Sequence, residues 1–154
     1  MVVRTGDKAP EFDFEEKAGH RVRLSDYNGR RNVLLVFHPF AFTPVCTEEA
    51  LDLQENLESF RNAETDIVFV SCDSSAARQA WKQEIGADYV FASDFWSHGA
   101  GAKAYGVFNE ENGAPIRGTF LIDKTGTVIW SLVKDDERRT EMVPESLDTL
   151  EHAE

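Results

Sequence analysis

The passage from the apolar run Val33-Leu34-Leu35-Val36-Phe37 to the prolines at 39 and 44 constrains this chain more than any other stretch. A continuous run of this kind predicts a central β-strand buried on both faces. His38-Pro39 must end it, because proline brings no N–H to a sheet ladder. Thr43 then stands where a helix N-cap belongs, and Pro44 takes the first helical position, where its missing N–H costs nothing. Cys46 follows in the first turn, beside unpaired backbone N–H groups and the positive end of the helix dipole. That setting is one of the few that lowers a cysteine pKa well below its free value of about 8.5. The spacing of Cys46, Ala50, Leu53, Leu57 and Phe60 predicts one helix to about Phe60, with Cys46 on the stripe that faces the core. From these residues alone Cys46 reads two ways: a reactive thiolate at the foot of a pocket, or a buried and inert small hydrophobe, the commoner case.

The remaining pattern sets the fold class. Phe12 with Phe14, and Val22 with Leu24, alternate with charged residues and predict short strands before the turn at Asp26-Tyr27-Asn28-Gly29. Ile67-Val68-Phe69-Val70 is a second buried run, ended by Ser71-Cys72-Asp73. Asp73 or Ser74 can cap a helix with the stripe Ala77, Trp81 and Ile85, closed by Gly86. Tyr89 to Ala92 suggests another strand, and the glycines between Ser97 and Gly106 weaken any helix there. Phe120-Leu121-Ile122 and Val128-Ile129-Trp130 flank Asp123-Lys124-Thr125-Gly126 as a β-hairpin. Val143, Pro144, Leu147 and Leu150 mark a terminal helix. Strands alternating with helices, then a hairpin and a last helix, predict a single α/β domain over residues 1–154 with a mixed central sheet flanked by helices, a thioredoxin-like fold.

Charge narrows the partners. A net charge of −12 over 154 residues disfavours nucleic acid and anionic membrane surfaces, which bind basic faces. The acidic excess is spread out and thickest after Lys134, as in a solvated surface. No stretch approaches the ~18 apolar residues of a membrane span, and the N-terminus has no apolar leader, so a cytoplasmic protein is expected. Cys46, Cys72, His20, His38, His98 and His152 show no metal-ligand spacing, and neither metal nor cofactor is expected.

Pro39-x-x-x-Thr43-x-x-Cys46 resembles the signature of the peroxiredoxins, the cysteine-based peroxidases. Gly6-Asp7-Lys8-Ala9-Pro10-Glu11-Phe12 is similar to the family's opening motif, Glu49 stands three residues after Cys46 as the family glutamate does, and Arg117-Gly118-Thr119-Phe120-Leu121-Ile122-Asp123 resembles its arginine strand. Ser93-Asp94-Phe95-Trp96 and Ala104-Tyr105-Gly106-Val107-Phe108-Asn109-Glu110 are similar to a short one-cysteine branch found in actinobacteria. His38-Pro39 and Phe42-Thr43-Pro44-Val45-Cys46-Thr47 also echo another one-cysteine branch, which carries a long C-terminal extension; this chain ends at Glu154.

The resemblance implies a peroxide substrate and a role for each matched residue. Cys46 would attack a peroxide oxygen and become a sulfenic acid. Thr43 and Arg117 would bind the peroxide and stabilise the charge that builds on its leaving oxygen. Pro39 would shield the sulfur and Glu49 would organise Arg117. Each has a plainer alternative: Thr43 as a cap only, Pro39 as a strand terminator, Arg117 as an exposed hairpin cation, Glu49 as a complement to the helix dipole, and His38 as a structural histidine. Cys72 matches no usual resolving position, so the reductant is expected to be an external thiol: mycothiol with a mycoredoxin, glutathione, or a thioredoxin system. A homodimer or larger homo-oligomer is also expected, with Phe42 and Trp96 as contacts. Competing readings are resolution by Cys72, a thiol–disulfide oxidoreductase (which would need Cys-x-x-Cys) and a non-catalytic holdase or binding module.

Overall fold

The computed structural model describes residues 1–96, 98–134 and 137–153. The chain opens with the hairpin β1 (Asp13–Lys17) and β2 (His20–Arg23), and Leu24 starts a short 3-10 turn where the sequence suggested more strand. β3 (Asn32–Phe37), β4 (Thr65–Ser71) and β5 (Val90–Ser93) are the buried runs. Between them lie α1 (Pro44–Glu55), α2 (Leu57–Asn62) and α3 (Ser75–Ile85). α4 (Ala100–Tyr105) leads to the small ribbon β6 (Phe108–Asn109) and β7 (Ala114–Pro115), which the sequence did not announce. The hairpin β8 (Arg117–Ile122) and β9 (Val128–Lys134) precedes α5 (Met142–Glu151).

Seven strands form one sheet in the order β2-β1-β5-β4-β3-β8-β9. β3 runs parallel to β4, and β4 to β5, while β8 returns antiparallel beside β3. The sheet is therefore mixed, with its two apolar runs at the centre. Period-two alternation sorts the side chains onto two faces. Val33, Leu35, Phe37, Val68, Val70 and Phe120 meet Phe14 and Tyr105 on one face. Leu34, Val36, Ile67, Phe69 and Leu121 meet α1, α3 and α5 on the other. Each fully buried Leu, Val or Phe contributes about 1.5–3 kcal/mol relative to exposure, so these two layers carry the fold. Among the described residues no helix is long and apolar enough to cross a membrane.

Three local departures have physical causes. The single helix expected to Phe60 is divided at Asn56 (φ −107°, ψ 10°), whose side-chain amide donates to the Asp52 carbonyl at 2.9 Å. Asparagine competes with the backbone for its own hydrogen bonds and so interrupts helices. The stripe Cys46, Ala50, Leu53, Leu57 and Phe60 is buried all the same. On α3, capped by Ser74 and closed by Gly86 in the left-handed region, the buried face runs through Arg78 and Trp81, leaving Ala77 half-buried. α4 forms despite its glycines; Ser97, at the edge of that stretch, lies outside the described residues.

Gly101 shows why a glycine is tolerated there. A Cβ at this position would stand 2.5 Å from the Phe14 ring. Gly101→Ala is therefore expected to destabilise the protein by about 1–3 kcal/mol, although alanine is the better helix former. A urea midpoint equal to or above that of the wild type would contradict this packing account.

Candidate active site

Cys46 is the third residue of α1 and is fully buried. Proline at the first helical position and the extended backbone of Thr43 (φ −97°, ψ 151°) set the helix start just after β3. Thr43 holds the N-cap position but does not cap with its side chain. Its hydroxyl donates instead to the Phe40 carbonyl at 2.8 Å, leaving its oxygen lone pairs unused by the helix. Pro39 is half-buried at the end of β3. Between them Phe42 takes a φ of +66°, a left-handed conformation that costs a bulky residue about 1–3 kcal/mol.

Arg117 begins β8 and is 7% exposed, so it is no surface hairpin cation. The β3–β8 ladder ends at the pair Phe37–Gly118, and Arg117 immediately precedes Gly118. From there its Nη1 donates to Cys46 Sγ at 3.2 Å and to Glu49 Oε1 at 3.0 Å. Cys46, Glu49 and Arg117, read separately from the sequence, thus share one buried guanidinium. A fourth residue escaped the sequence reading. Arg139, wholly buried, reaches Glu49 through its backbone N–H (2.7 Å), Nε (3.1 Å) and Nη2 (2.8 Å), while Nη1 donates to Thr119 Oγ1 at 2.8 Å. It lies in the acidic stretch after Lys134, where no periodicity marks it as buried. Burial opposes ionisation of Glu49, but the hydrogen bonds and charge of Arg139, with the charge of Arg117, hold its carboxyl below the usual range.

The loop from His38 to Thr43 is also fastened from below. Asp73 Oδ2 accepts the Ala41 N–H at 2.8 Å and the Ser71 hydroxyl at 2.6 Å. His38 is fully buried and stacked on Phe69, with ring centroids 4.0 Å apart. Its Nε2 meets Arg78 Nη1. Guanidinium can only donate, so Nε2 accepts and the ring proton sits on Nδ1, which has no partner among the described residues. Burial first, then the charges of Arg78, Arg139 and Arg117, push the His38 pKa well below its ordinary value. Cys72, half-buried after β4, is a free thiol pushed up to about 12 by burial and the nearby Asp94 and Asp73 carboxylates. It stays protonated at neutral pH and is a poor nucleophile. A groove of about 780 Å³ is lined by residues such as Asn32, Lys124 and His152, at the end of β3 away from Cys46.

Two expectations follow for acid and for charge removal. His38 takes up a proton near pH 6.5 in the unfolded chain but not in the fold, so stability falls as pH drops through that value. Glu49 acts in the same direction, its contribution being lost as pH falls through its lowered folded pKa. Imidazole ¹⁵N shifts of His38 should show an Nδ1–H tautomer with no titration between about pH 5 and 8; a midpoint in that range would refute a buried neutral ring. Glu49→Gln strands two buried guanidiniums and should cost about 3–5 kcal/mol in urea unfolding. A loss below about 1 kcal/mol would mean the carboxylate does not hold them.

Comparison with known proteins places this geometry in a family. The AhpC/TSA family model matches residues 5–131. Alkyl hydroperoxide reductase E of Mycobacterium tuberculosis is 37% identical over 133 residues, covering 86% of this chain and 87% of that protein. Peroxiredoxin Bcp of Bacillus subtilis is 34% identical, covering 97% and 96%. Among solved structures, peroxidoxin BcpB from Mycobacterium tuberculosis superposes with a TM-score of 0.89 at 27% identity over 99% of both chains. The reduced 2-Cys peroxiredoxin of Plasmodium vivax gives 0.84 at 27% identity, over 97% of this chain and 98% of that one. The mixed sheet and its helices are thus thioredoxin-like, and the chain belongs to the AhpC/TSA family of peroxiredoxins, thiol-dependent peroxidases.

Proposed function

We propose that Cys46 is the nucleophile of this peroxidase and that it works without a second cysteine of the same chain. The observation that carries the reading is the bond from Arg117 Nη1 to Cys46 Sγ, made by a guanidinium that Glu49 and Arg139 hold in place. A thiolate there has a charge-assisted partner before substrate arrives. Its sulfur attacks the nearer peroxide oxygen, the O–O bond breaks, and the leaving oxygen takes a proton to depart as water or an alcohol. Cys46 becomes a sulfenic acid. The Thr43 hydroxyl, which gives its proton to the Phe40 carbonyl, can accept the peroxide O–H and orient it. Arg117 supports charge on the leaving oxygen, and its buried Nε–H, without a partner among the described residues, is a further donor for substrate. Pro39 limits water at the sulfur and Glu49 keeps Arg117 aimed.

The protonated state of Cys72 supports an external reductant over an internal disulfide. One thiol displaces water from the sulfenic acid to give a mixed disulfide, and a second thiol releases Cys46. Mycothiol with a mycoredoxin, glutathione and thioredoxin systems all supply that chemistry. We place this single domain of residues 1–154 in the cytoplasm, as a homodimer or larger homo-oligomer. The exposed aromatics Phe42, Phe95 and Trp96 support such a contact.

Cys46→Ser should abolish peroxide consumption and Cys72→Ser should preserve thiol-dependent turnover. One equivalent of peroxide should yield Cys46 sulfenic acid by mass spectrometry; a Cys46–Cys72 disulfide would overturn the one-cysteine reading. Arg117→Ala should lower the peroxide rate by about 10²–10³-fold with its circular dichroism spectrum unchanged. Turnover at the wild-type rate would remove Arg117 from the mechanism.

A further inference from the structure

Arg78 is buried without a carboxylate in hydrogen-bond contact among the described residues. Its Nε donates to the Ala92 carbonyl at 3.0 Å, its Nη2 to the Phe69 carbonyl at 2.7 Å, and its Nη1 to His38 Nε2. The guanidinium lies over the rings of Phe69, Trp81 and Phe91, its Cζ 5.0–5.6 Å from their centroids. These contacts satisfy its donors but supply no opposite charge. Burial lowers its pKa only to about 10, so it remains a cation at neutral pH. A fully buried cation without an ion-pair partner is costly, and an apolar residue could fill the same space. Some nearby anion must therefore benefit from it.

The surroundings identify that anion. Asp73 lies within Coulombic reach, but its Oδ2 is engaged by Ala41 and Ser71. His38, the bonded partner of Arg78, follows Phe37, whose β3–β8 partner Gly118 is the neighbour of Arg117, the residue that touches Cys46. Arg78, Arg139 and Arg117 all act on His38, and Tyr89, Cys46 and Cys72 lie within Coulombic reach of Arg78, with burial pushing Tyr89 and Cys72 towards their neutral forms. Three guanidiniums thus face two carboxylates, Glu49 and Asp73. His38 is neutral and contributes no charge. A Cys46 thiolate is the anion that completes the balance, and the oxyanion forming during O–O cleavage inherits the same field.

We propose that Arg78 is a positioning residue for the peroxidase reaction, supporting the Cys46 anion from beneath the loop through the neutral His38 and anchoring the residue from which that loop departs. This rests on Cys46 being the nucleophile. It adds a cation behind the loop, on α3, to the Arg117–Glu49–Arg139 cluster in front of it.

The test separates charge from support. Cys46 is alkylated with anionic iodoacetate and with neutral iodoacetamide at pH 7 and low salt, in wild type, Arg78→Gln and His38→Gln, and read by mass at Cys46. A field effect acts more on the anionic reagent. The iodoacetate-to-iodoacetamide rate ratio should fall about threefold or more in Arg78→Gln. It should hold in His38→Gln, whose side-chain oxygen can replace Nε2 as acceptor. Sulfenic acid formation by hydrogen peroxide should slow about tenfold in Arg78→Gln. The pH midpoint of iodoacetamide alkylation should rise in Arg78→Gln, because the thiolate loses a cation; an unmoved midpoint together with an unchanged ratio would reduce Arg78 to a structural plug and overturn the proposal. If Arg78→Gln does not fold, Arg78→Lys decides: it keeps charge but loses the planar fork, so a retained ratio and midpoint support the field role and a midpoint that rises although the charge is kept refutes it. Alkylation needs no peroxide turnover, so these outcomes are distinct from a peroxide-active Cys46→Ser, which would refute the nucleophile itself.

Discussion

Glu49 is the constraint on which the rest of the site hangs. It sits on α1, accepts Arg117 from the first position of β8, and accepts both main chain and side chain of Arg139 from the segment leading to α5. Three pieces of chain far apart in sequence thereby agree on one place. A buried ion pair is weak evidence of stability, since apolar residues of similar volume would often do as well. What it does fix is geometry. Two guanidiniums on one carboxylate leave unbalanced positive charge in a water-poor space, and one of them extends a hydrogen to Cys46 Sγ. The network thus directs a guanidinium N–H at the sulfur of Cys46.

The two cysteines show how completely surroundings decide chemistry. Cys72 directly follows β4, and Cys46 lies in the first turn of the helix that follows β3, the parallel neighbour of β4. Cys46 lies at a helix start beside a guanidinium, whereas Cys72 lies near two carboxylates in a partly dry environment. The same side chain has a guanidinium beside it in one place and carboxylates in the other.

Much of this was legible in the residues. The apolar runs predicted the central strands, and Pro44 with the spacing from Cys46 to Phe60 predicted a helix start with a buried sulfur, because strand and helix periods are local properties of the chain. Glu49 and Arg117 were legible only through family resemblance; nothing in their own neighbourhoods shows that they meet, 68 positions apart. Arg139 and Arg78 were missed for the same physical reason. A buried arginine contradicts the rule that charges face water, and only tertiary contacts reveal the partners that keep it inside. On α3 the small Ala77 looked like the core position, and the neighbouring cation took it. The break at Asn56 and the 3-10 turn at Leu24 lie at element ends, where single side-chain hydrogen bonds decide.

The alternating faces of β8 carry one last consequence. Arg117 and Thr119 point to the face that packs α1 and α5 because Gly118 and Phe120 point to the other, where Phe120 meets Phe37 edge-on and Phe37 meets Phe14 in the same way. A slip of one residue between β3 and β8 would turn the side chains of β8 over and take Arg117 away from Glu49 and Cys46. The aromatic layer on the back of the sheet therefore acts as an alignment jig for the guanidinium on the front. It enforces the reach of Arg117 to sulfur without touching either atom.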